Sequence, residues 1–160
     1  MRTRVWRKWD SPPTALATVL MASPGRVFSE AAVARAADLA AGGAVAVLIV
    51  ARLHGYAFGM PNPGLLPNHK EKQAVKENLE KAMGELERRG IEASGEIAIT
   101  RNPAKVFIRA AVAQGVNAVV IDPQPGGRIR RFVEGDLAAS LRRRLRAKSI
   151  DVIVVESSNS

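Results

Sequence analysis

Two adjacent glycines followed by arginines give this chain its clearest capacity for ligand chemistry. Gly126 and Gly127 precede Arg128, Arg130 and Arg131. Glycine lets a backbone approach a ligand closely, and guanidinium groups bind phosphate oxygens through paired hydrogen bonds. The spacing therefore indicates a site for a phosphate or another anion. The alternative is that these arginines lie on a solvated surface, where one of them pairs with a nearby aspartate.

Residues suited to catalysis are sparse. Ser23 and Ser29 are candidate nucleophiles, but His54 is the only base near a predicted strand end, and it lies in a long loop. Asp122 and Asp136 could form a carboxylate pair, although a helix N-cap explains Asp136 adequately. The absence of cysteine excludes disulfides, thiolate metal sites and cysteine nucleophiles, and two histidines disfavour a histidine-rich metal site. We therefore expect no enzymatic activity and no metal ion.

All of the excess positive charge lies in two segments. Of the formal net charge of +9, Met1–Pro13 carries +3 and Gly126–Lys148 carries +6. Both tryptophans of the chain lie in the first segment among basic residues: Arg2, Arg4, Trp6, Arg7, Lys8 and Trp9. This pattern suits nucleic acid or an anionic lipid surface, but the segment could instead fold back on the domain or be disordered. The second segment contains another candidate surface for an anionic partner, formed by Arg142, Arg143, Arg144 and Arg146.

Five apolar runs predict the strands that would position these residues: Leu16–Ala22, Val45–Val50, Glu96–Thr100, Ala118–Ile121 and Val152–Val155. The second, fourth and fifth runs are apolar without alternation. That pattern is typical of strands that are buried on both faces of a parallel sheet.

Segments of helical period separate these strands. They are Ser29–Ala41, Lys70–Arg89, a helix capped by Asn102 that ends at Gly115, and a helix that starts near Asp136. The alternation predicts one α/β domain of the doubly wound, Rossmann-like class, with five mainly parallel strands and helices on both faces. We assign residues 1–13 to a basic tail, 14–156 to the domain and 157–160 to a disordered end. Residues 53–68 form a long loop, either a lid or a mobile segment.

The N-terminal segment superficially resembles a secretory signal, since the basic Met1–Asp10 precedes the short apolar run Thr14–Ala22. Asp10 and the Pro12-Pro13 pair interrupt that pattern. No run approaches the roughly 20 apolar residues of a membrane span. We expect a cytoplasmic protein.

Three segments, in order, resemble the universal stress protein family. Val19–Gly25 and the helix after Ser29 resemble the family's first strand and helix. Asn102–Ile121 resembles its "DPA…GAD-strand" segment, and Gly126–Val155 resembles its "GGLRRLLLGS…PVLVV" end. The resemblance covers Val19–Glu156. It implies the fold predicted above and a homodimer that pairs its last strands, here through Val152, Ile153, Val154 and Val155.

Nucleotide-binding members of that family resemble one another in the pattern G-x2-G-x9-G-[S/T] after the fourth strand and in an aspartate after the first. At the pattern's positions this chain has Asp122, Pro125, Gly135 and Asp136, and Pro24 stands in place of the aspartate. Only Gly135 matches. Pro125 lacks an N–H donor, and Asp136 as an N-cap would fill the anion site from within and repel a phosphate.

The resemblance and these departures imply a non-catalytic regulatory or binding module that does not hold ATP in the family manner and needs no cofactor. One alternative is an ATP- or AMP-binding member with an altered phosphate loop. Another is a basic adaptor that binds nucleic acid or an anionic membrane through the tail and fourth helix. The candidate ligand-site positions are Pro24, Gly25, Val45, Asp122, Gly126, Gly127, Arg128, Gly135 and Asp136.

Overall fold

The computed structural model describes residues 17–23, 28–52, 69–100, 102–121 and 128–155. The predicted tail and the predicted loop at 53–68 lie outside this part of the chain. The described strands are β1 (Val19–Ser23), β2 (Ala44–Arg52), β3 (Glu92–Thr100), β4 (Ala118–Ile121) and β5 (Asp151–Val154). The described helices are α1 (Glu30–Ala40), α2 (His69–Arg88), α3 (Pro103–Gln114) and α4 (Arg128–Arg146).

The strands form one parallel sheet in the order β3-β2-β1-β4-β5. β1 lies at the centre and all five of its residues are buried, as are all four residues of β4. β3 and β5 are the edges, and both contain exposed or half-buried residues. The predicted fold class is confirmed, because continuous apolar strands occupy the middle of a sheet that is covered on both faces.

The two faces of the sheet carry separate hydrophobic layers. Alternate strand residues such as Met21 and Val47 pack with α1 and α2, where Leu79 is fully buried. The intervening residues, such as Leu20, pack with α3 and α4, where Phe107 is fully buried. This two-sided packing follows from the period-two alternation of side chains along a strand.

Side chains and glycine define the ends of two helices. The Ser29 hydroxyl accepts a hydrogen bond from the backbone N–H of Ala32 at 3.1 Å and caps α1. Asn102 Oδ1 accepts one from the N–H of Lys105 at 3.2 Å, and α3 ends at Gly115 with φ of 64°. The capping of α3 is as predicted. The capping contact gives Ser29 a structural role.

The predicted start of the fourth helix is wrong. α4 begins at Arg128, so Asp136 lies more than two turns inside the helix and is not its N-cap. The segment from Arg128 to Glu134 contains no proline, and one interior glycine, Gly135, costs a helix only about 1 kcal/mol. Leu141 and Leu145 are fully buried and anchor the helix on the sheet. No helix in the described part of the chain is long and apolar enough to cross a membrane.

Candidate functional site

A crevice is expected at the carboxyl edge of the sheet between β1 and β4. These two strands are neighbours, with Ala22 aligned with Ile121. α1 follows β1 on one face of the sheet, whereas α4 follows β4 on the other. Ligands of open α/β sheets bind where successive connections leave toward opposite faces. The topology therefore places the candidate ligand site at the ends of β1 and β4.

Most predicted site residues follow these two strand ends. Ser23 ends β1 and is fully buried, and Ile121, which ends β4, is 5% exposed. The predicted positions Pro24, Gly25, Asp122, Gly126 and Gly127 lie outside the described residues. In the sequence, Pro24 directly follows Ser23 and Asp122 directly follows Ile121.

Val45 does not belong to this site. It is the second residue of β2, and its side chain is fully buried between the sheet and the α1/α2 layer. Its neighbour on β1 is Val19, at the amino end of that strand and therefore at the opposite edge of the sheet from the crevice. The prediction of Val45 as a ligand contact is wrong, because its position in the strand makes it a core residue.

The other predicted residues lie on α4. Arg128 is the first residue of this helix, while Gly135 and Asp136 lie in its interior. The backbone N–H groups without a partner inside a helix are those of its N-cap and its first three residues. Among the described residues, the N–H groups available to an anion are therefore those of residues 128–130. The family pattern would place such N–H groups at position 136. In this chain they lie before Asp136 in the sequence.

Glu96 and Gln114 are two buried polar residues that the sequence analysis did not single out. Both are 7% exposed, and Glu96 Oε2 and Gln114 Oε1 have no hydrogen-bond partner in the described part of the chain. Burial raises the pKa of the Glu96 carboxyl from 4.5 to about 7. Glu96 aligns with Leu48, whose side chain packs in the α3/α4 layer. The only indication of this burial in the sequence was that Gln114 lies seven residues after Phe107, a spacing that puts two residues on one face of a helix.

A groove of about 330 Å³ lies between α1 and α2. Buried apolar residues including Phe28 and Val33 line it, together with the polar side chains of Glu30, Lys81 and Glu85. It contains none of the predicted site residues. Among the described residues, no group of three or more His, Cys, Asp or Glu side chains could hold a metal ion.

Comparison with solved structures gives matches over nearly the whole chain. A universal stress protein family structure from Burkholderia pseudomallei aligns at a TM-score of 0.59 with 18% identity, covering 91% of this chain and 100% of that one. This chain has the universal stress protein fold.

Two further structures with the universal stress protein fold contain adenine nucleotides. One is a universal stress protein in complex with cAMP, with a TM-score of 0.61 and 18% identity, covering 91% of this chain and 100% of that one. The other is the Archaeoglobus fulgidus universal stress protein in complex with dAMP, with a TM-score of 0.56 and 18% identity, covering 88% and 99%. No protein-family model and no curated protein matches this sequence.

Proposed function

We propose that this chain is a non-catalytic binding module of the universal stress protein type that does not hold ATP through the family's phosphate loop. The start of α4 at Arg128 carries this proposal. The spacer between the second and third glycines of the family pattern corresponds to residues 126–134, and most of it is helical in this chain. N–H groups inside a helix donate to its own carbonyls, so they are not available to phosphate oxygens.

The sequence around the crevice supports the same proposal. Asp122 follows the last residue of β4, where a carboxylate would repel a triphosphate. Pro125 lacks a backbone donor at a position where the family pattern has glycine, and Pro24 occupies the position of the family's aspartate. Asp136 does not block the phosphate site as an N-cap, because it lies inside α4.

A second candidate function is the binding of an adenine monophosphate at the start of α4. The unpaired N–H groups of residues 128–130 follow Gly126 and Gly127, on the connection that leaves the carboxyl end of β4. A single phosphate needs fewer donors than a triphosphate. The two related structures that contain cAMP and dAMP favour a ligand of this size.

Calorimetric titration of the full chain tests both candidates. We expect no measurable heat of binding with Mg-ATP at concentrations up to about 1 mM, and no adenine released when the purified protein is denatured and analysed by mass spectrometry. Micromolar ATP binding would overturn the main proposal. AMP binding without ATP binding would establish the second candidate, and the absence of AMP binding would eliminate it.

The variant Asp136→Ser separates the two explanations for weak ATP binding. If the early start of α4 is the cause, this substitution leaves the ATP titration unchanged, because residue 136 lies inside the helix. A gain in ATP affinity would show that residue 136 controls the phosphate site and would contradict the proposal.

We also propose that two copies of the chain pair through β5. β5 is an edge of the sheet, and Val152, Ile153 and Val154 are half-buried. The N–H of Asp151 donates to the carbonyl of Asn117, just before β4, and that of Val155 donates to Ile121. The N–H groups of Val152 and Val154 therefore point to the free edge, by the alternation of a parallel ladder. An apolar edge with unpaired backbone groups is suited to pairing with a second copy.

Two proline variants test this pairing by light scattering after gel filtration. Val154→Pro removes an N–H at the free edge, so we expect a folded monomer. Ile153→Pro removes a hydrogen bond to β4, so we expect a loss of stability in addition. A dimer that persists in the folded Val154→Pro variant would contradict pairing through β5.

A further inference from the structure

Five cationic side chains cover the end of α4 and the turn that follows it: Arg142, Arg143, Arg144, Arg146 and Lys148. All five are exposed. Within the described part of the chain, none of them takes part in an ion pair or a side-chain hydrogen bond. This group, which we name the α4 basic surface, therefore has no counter-charge that the described residues supply.

The end of α4 does not need these side chains to satisfy its carbonyl groups. The Leu145 carbonyl accepts hydrogen bonds from the N–H of Lys148 at 2.9 Å and of Ile150 at 3.1 Å. The Arg146 carbonyl accepts one from the N–H of Ser149 at 3.1 Å. The backbone thus supplies partners for these two carbonyls. A capping role does not account for the cluster of cations.

Repulsion within the α4 basic surface opposes the favourable interaction that arginines in the last turn make with the helix dipole. Arg142 and Arg146 are four residues apart on α4. Like charges at this spacing on a helix repel each other. A bound polyanion would offset this repulsion through its own attraction to both arginines.

α3 extends the positive surface on the same side of the sheet. Arg109 of α3 is exposed, and α3 contacts α4. Neighbouring helices lie about 8–10 Å apart, so the cations of α3 and α4 cover a surface wider than one helix. The segments that form α3 and α4 contain nine basic and two acidic residues.

We propose that the α4 basic surface binds the phosphate backbone of duplex nucleic acid without regard to its sequence. Arginine makes paired hydrogen bonds to phosphate oxygens. Arg142 and Arg146 are separated by about 6 Å along the helix axis, which corresponds to about two phosphates of one strand at 3.4 Å per nucleotide. The surface lies toward the amino edge of the sheet, because α4 runs from the end of β4 to the start of β5. It is therefore separate from the ligand crevice.

A membrane surface fits these residues less well. Helices that lie in a bilayer interface bury large apolar side chains in the lipid. Leu141 and Leu145 of α4 are fully buried against the sheet, and the large apolar residues exposed in the described chain are Ile99 on β3 and Val112 on α3. Over residues 137–146, the part of α4 whose side chains are described, the helix thus presents charge without an exposed large apolar side chain.

Fluorescence anisotropy with a labelled 20-base-pair DNA tests the proposal on the full chain. The variant carries Arg142→Gln, Arg143→Gln and Arg146→Gln, all at exposed positions. We expect its affinity at 0.1 M NaCl to fall at least about tenfold, and the slope of log K against log salt to decrease by about 2.7, since each phosphate contact contributes about 0.9. An unrelated DNA sequence and a duplex RNA should bind the wild type to within a few-fold of the first DNA.

The matched control removes the same charge from the opposite face of the sheet. It carries Lys72→Gln, Lys76→Gln and Lys81→Gln, at exposed positions of α2. All variants retain the N-terminal segment, so its contribution to binding is common to them. We expect the control to change the DNA affinity less than about twofold. Circular dichroism melting curves confirm that both variants fold.

Three results would overturn the proposal. The first is that the α2 control weakens DNA binding as much as the α4 variant does. The second is that wild-type protein does not bind DNA at 50 mM NaCl. The third is that polyglutamate, or vesicles with 30% phosphatidylserine, bind the α4 basic surface as tightly as DNA at equal charge concentration, which would identify a non-selective anionic surface or a membrane surface.

Discussion

The two helical layers of this protein differ in how their charges are balanced. The segments of α1 and α2 contain six basic and seven acidic residues, a net charge of −1, whereas those of α3 and α4 have a net charge of +7. α2 and α4 have nearly equal lengths of 20 and 19 residues. The difference is therefore one of charge content and not of helix size.

The charges of α2 sum to zero, and several of them form ion pairs with neighbours along the chain. Lys76 lies 3.9 Å from Glu80, and Glu85 pairs with both Arg88 and Arg89. These arginines also hold the pKa of the Glu85 carboxyl below its usual range, mainly through the hydrogen bond from Arg88. A surface that pairs its own charges needs no external partner. The α4 basic surface has no such pairs within the described chain, so any partner of high negative charge would approach this one face.

The largest effect that we expect concerns Glu96, and it tests the difference in charge balance between the two helical layers. Its side chain is buried on the α3/α4 side of the sheet, yet the positive charges of that layer do not lower its pKa, which burial raises from 4.5 to about 7. The native state therefore binds this proton more tightly than the unfolded state does. The free energy of unfolding that this proton contributes is fully present below pH 4.5. It is lost as the pH rises through 7, a loss of about 3 kcal/mol.

Urea denaturation from pH 4 to 9 measures this effect as the difference between wild type and Glu96→Gln. We expect the free energy of unfolding of the wild type to fall relative to the variant across this range. The control Glu92→Gln, at an exposed position of the same strand, should retain the wild-type profile. A wild type that gains stability relative to Glu96→Gln with rising pH would show that a cation of the α3/α4 layer pairs with Glu96, which would break the comparison.

The sequence predicted the elements whose signals are local. The apolar run Ala118–Ile121 became β4 with the predicted bounds, and the Asn102-Pro103 pair and Gly115 delimit α3. The start of α4 was not predictable in this way. Gly135-Asp136 resembles a helix start, while the leucines that anchor α4 become informative only once the sheet is in place.

The candidate site was predictable to a lesser extent. Strand order fixes which strand ends meet, and it brings the residues after β1 and β4 to one edge while leaving Val45 at the other. The buried carboxyl of Glu96 depends on the helix layer that covers an edge strand. Sequence periodicity does not reveal this burial, because a single glutamate in an edge strand is usually exposed to solvent.

Gly95→Ala is expected to have the second-largest effect, and it tests the packing of the α1/α2 face. A Cβ on Gly95 would lie 2.5 Å from Met83 Sδ and 2.8 Å from Leu79 Cδ1. Both α2 side chains are buried, so they have little room to move. We expect a loss of about 1–3 kcal/mol in the free energy of unfolding, measured by urea denaturation.

Gly84→Ala is the matched control on α2. No atom lies within 4 Å of the added Cβ, and alanine favours a helix interior over glycine by about 1 kcal/mol. The two substitutions should therefore change stability in opposite directions. If Gly95→Ala is as stable as the wild type, the contact between α2 and β3 is looser than the structure indicates.

The smallest expected effects concern single surface charges, and they differ in sign between the two faces. Glu80→Gln on α2 removes the pair with Lys76, so stability should fall by about 0.2–0.5 kcal/mol. Arg142→Gln on α4 removes repulsion from Arg146, so stability should rise by a similar amount. Thermal melts at 20 mM and 500 mM NaCl measure both, and salt should diminish both differences because it screens exposed charges. A loss of stability in Arg142→Gln at low salt would mean that this arginine already has an anionic partner within the chain, and the α4 basic surface would then be smaller than we propose.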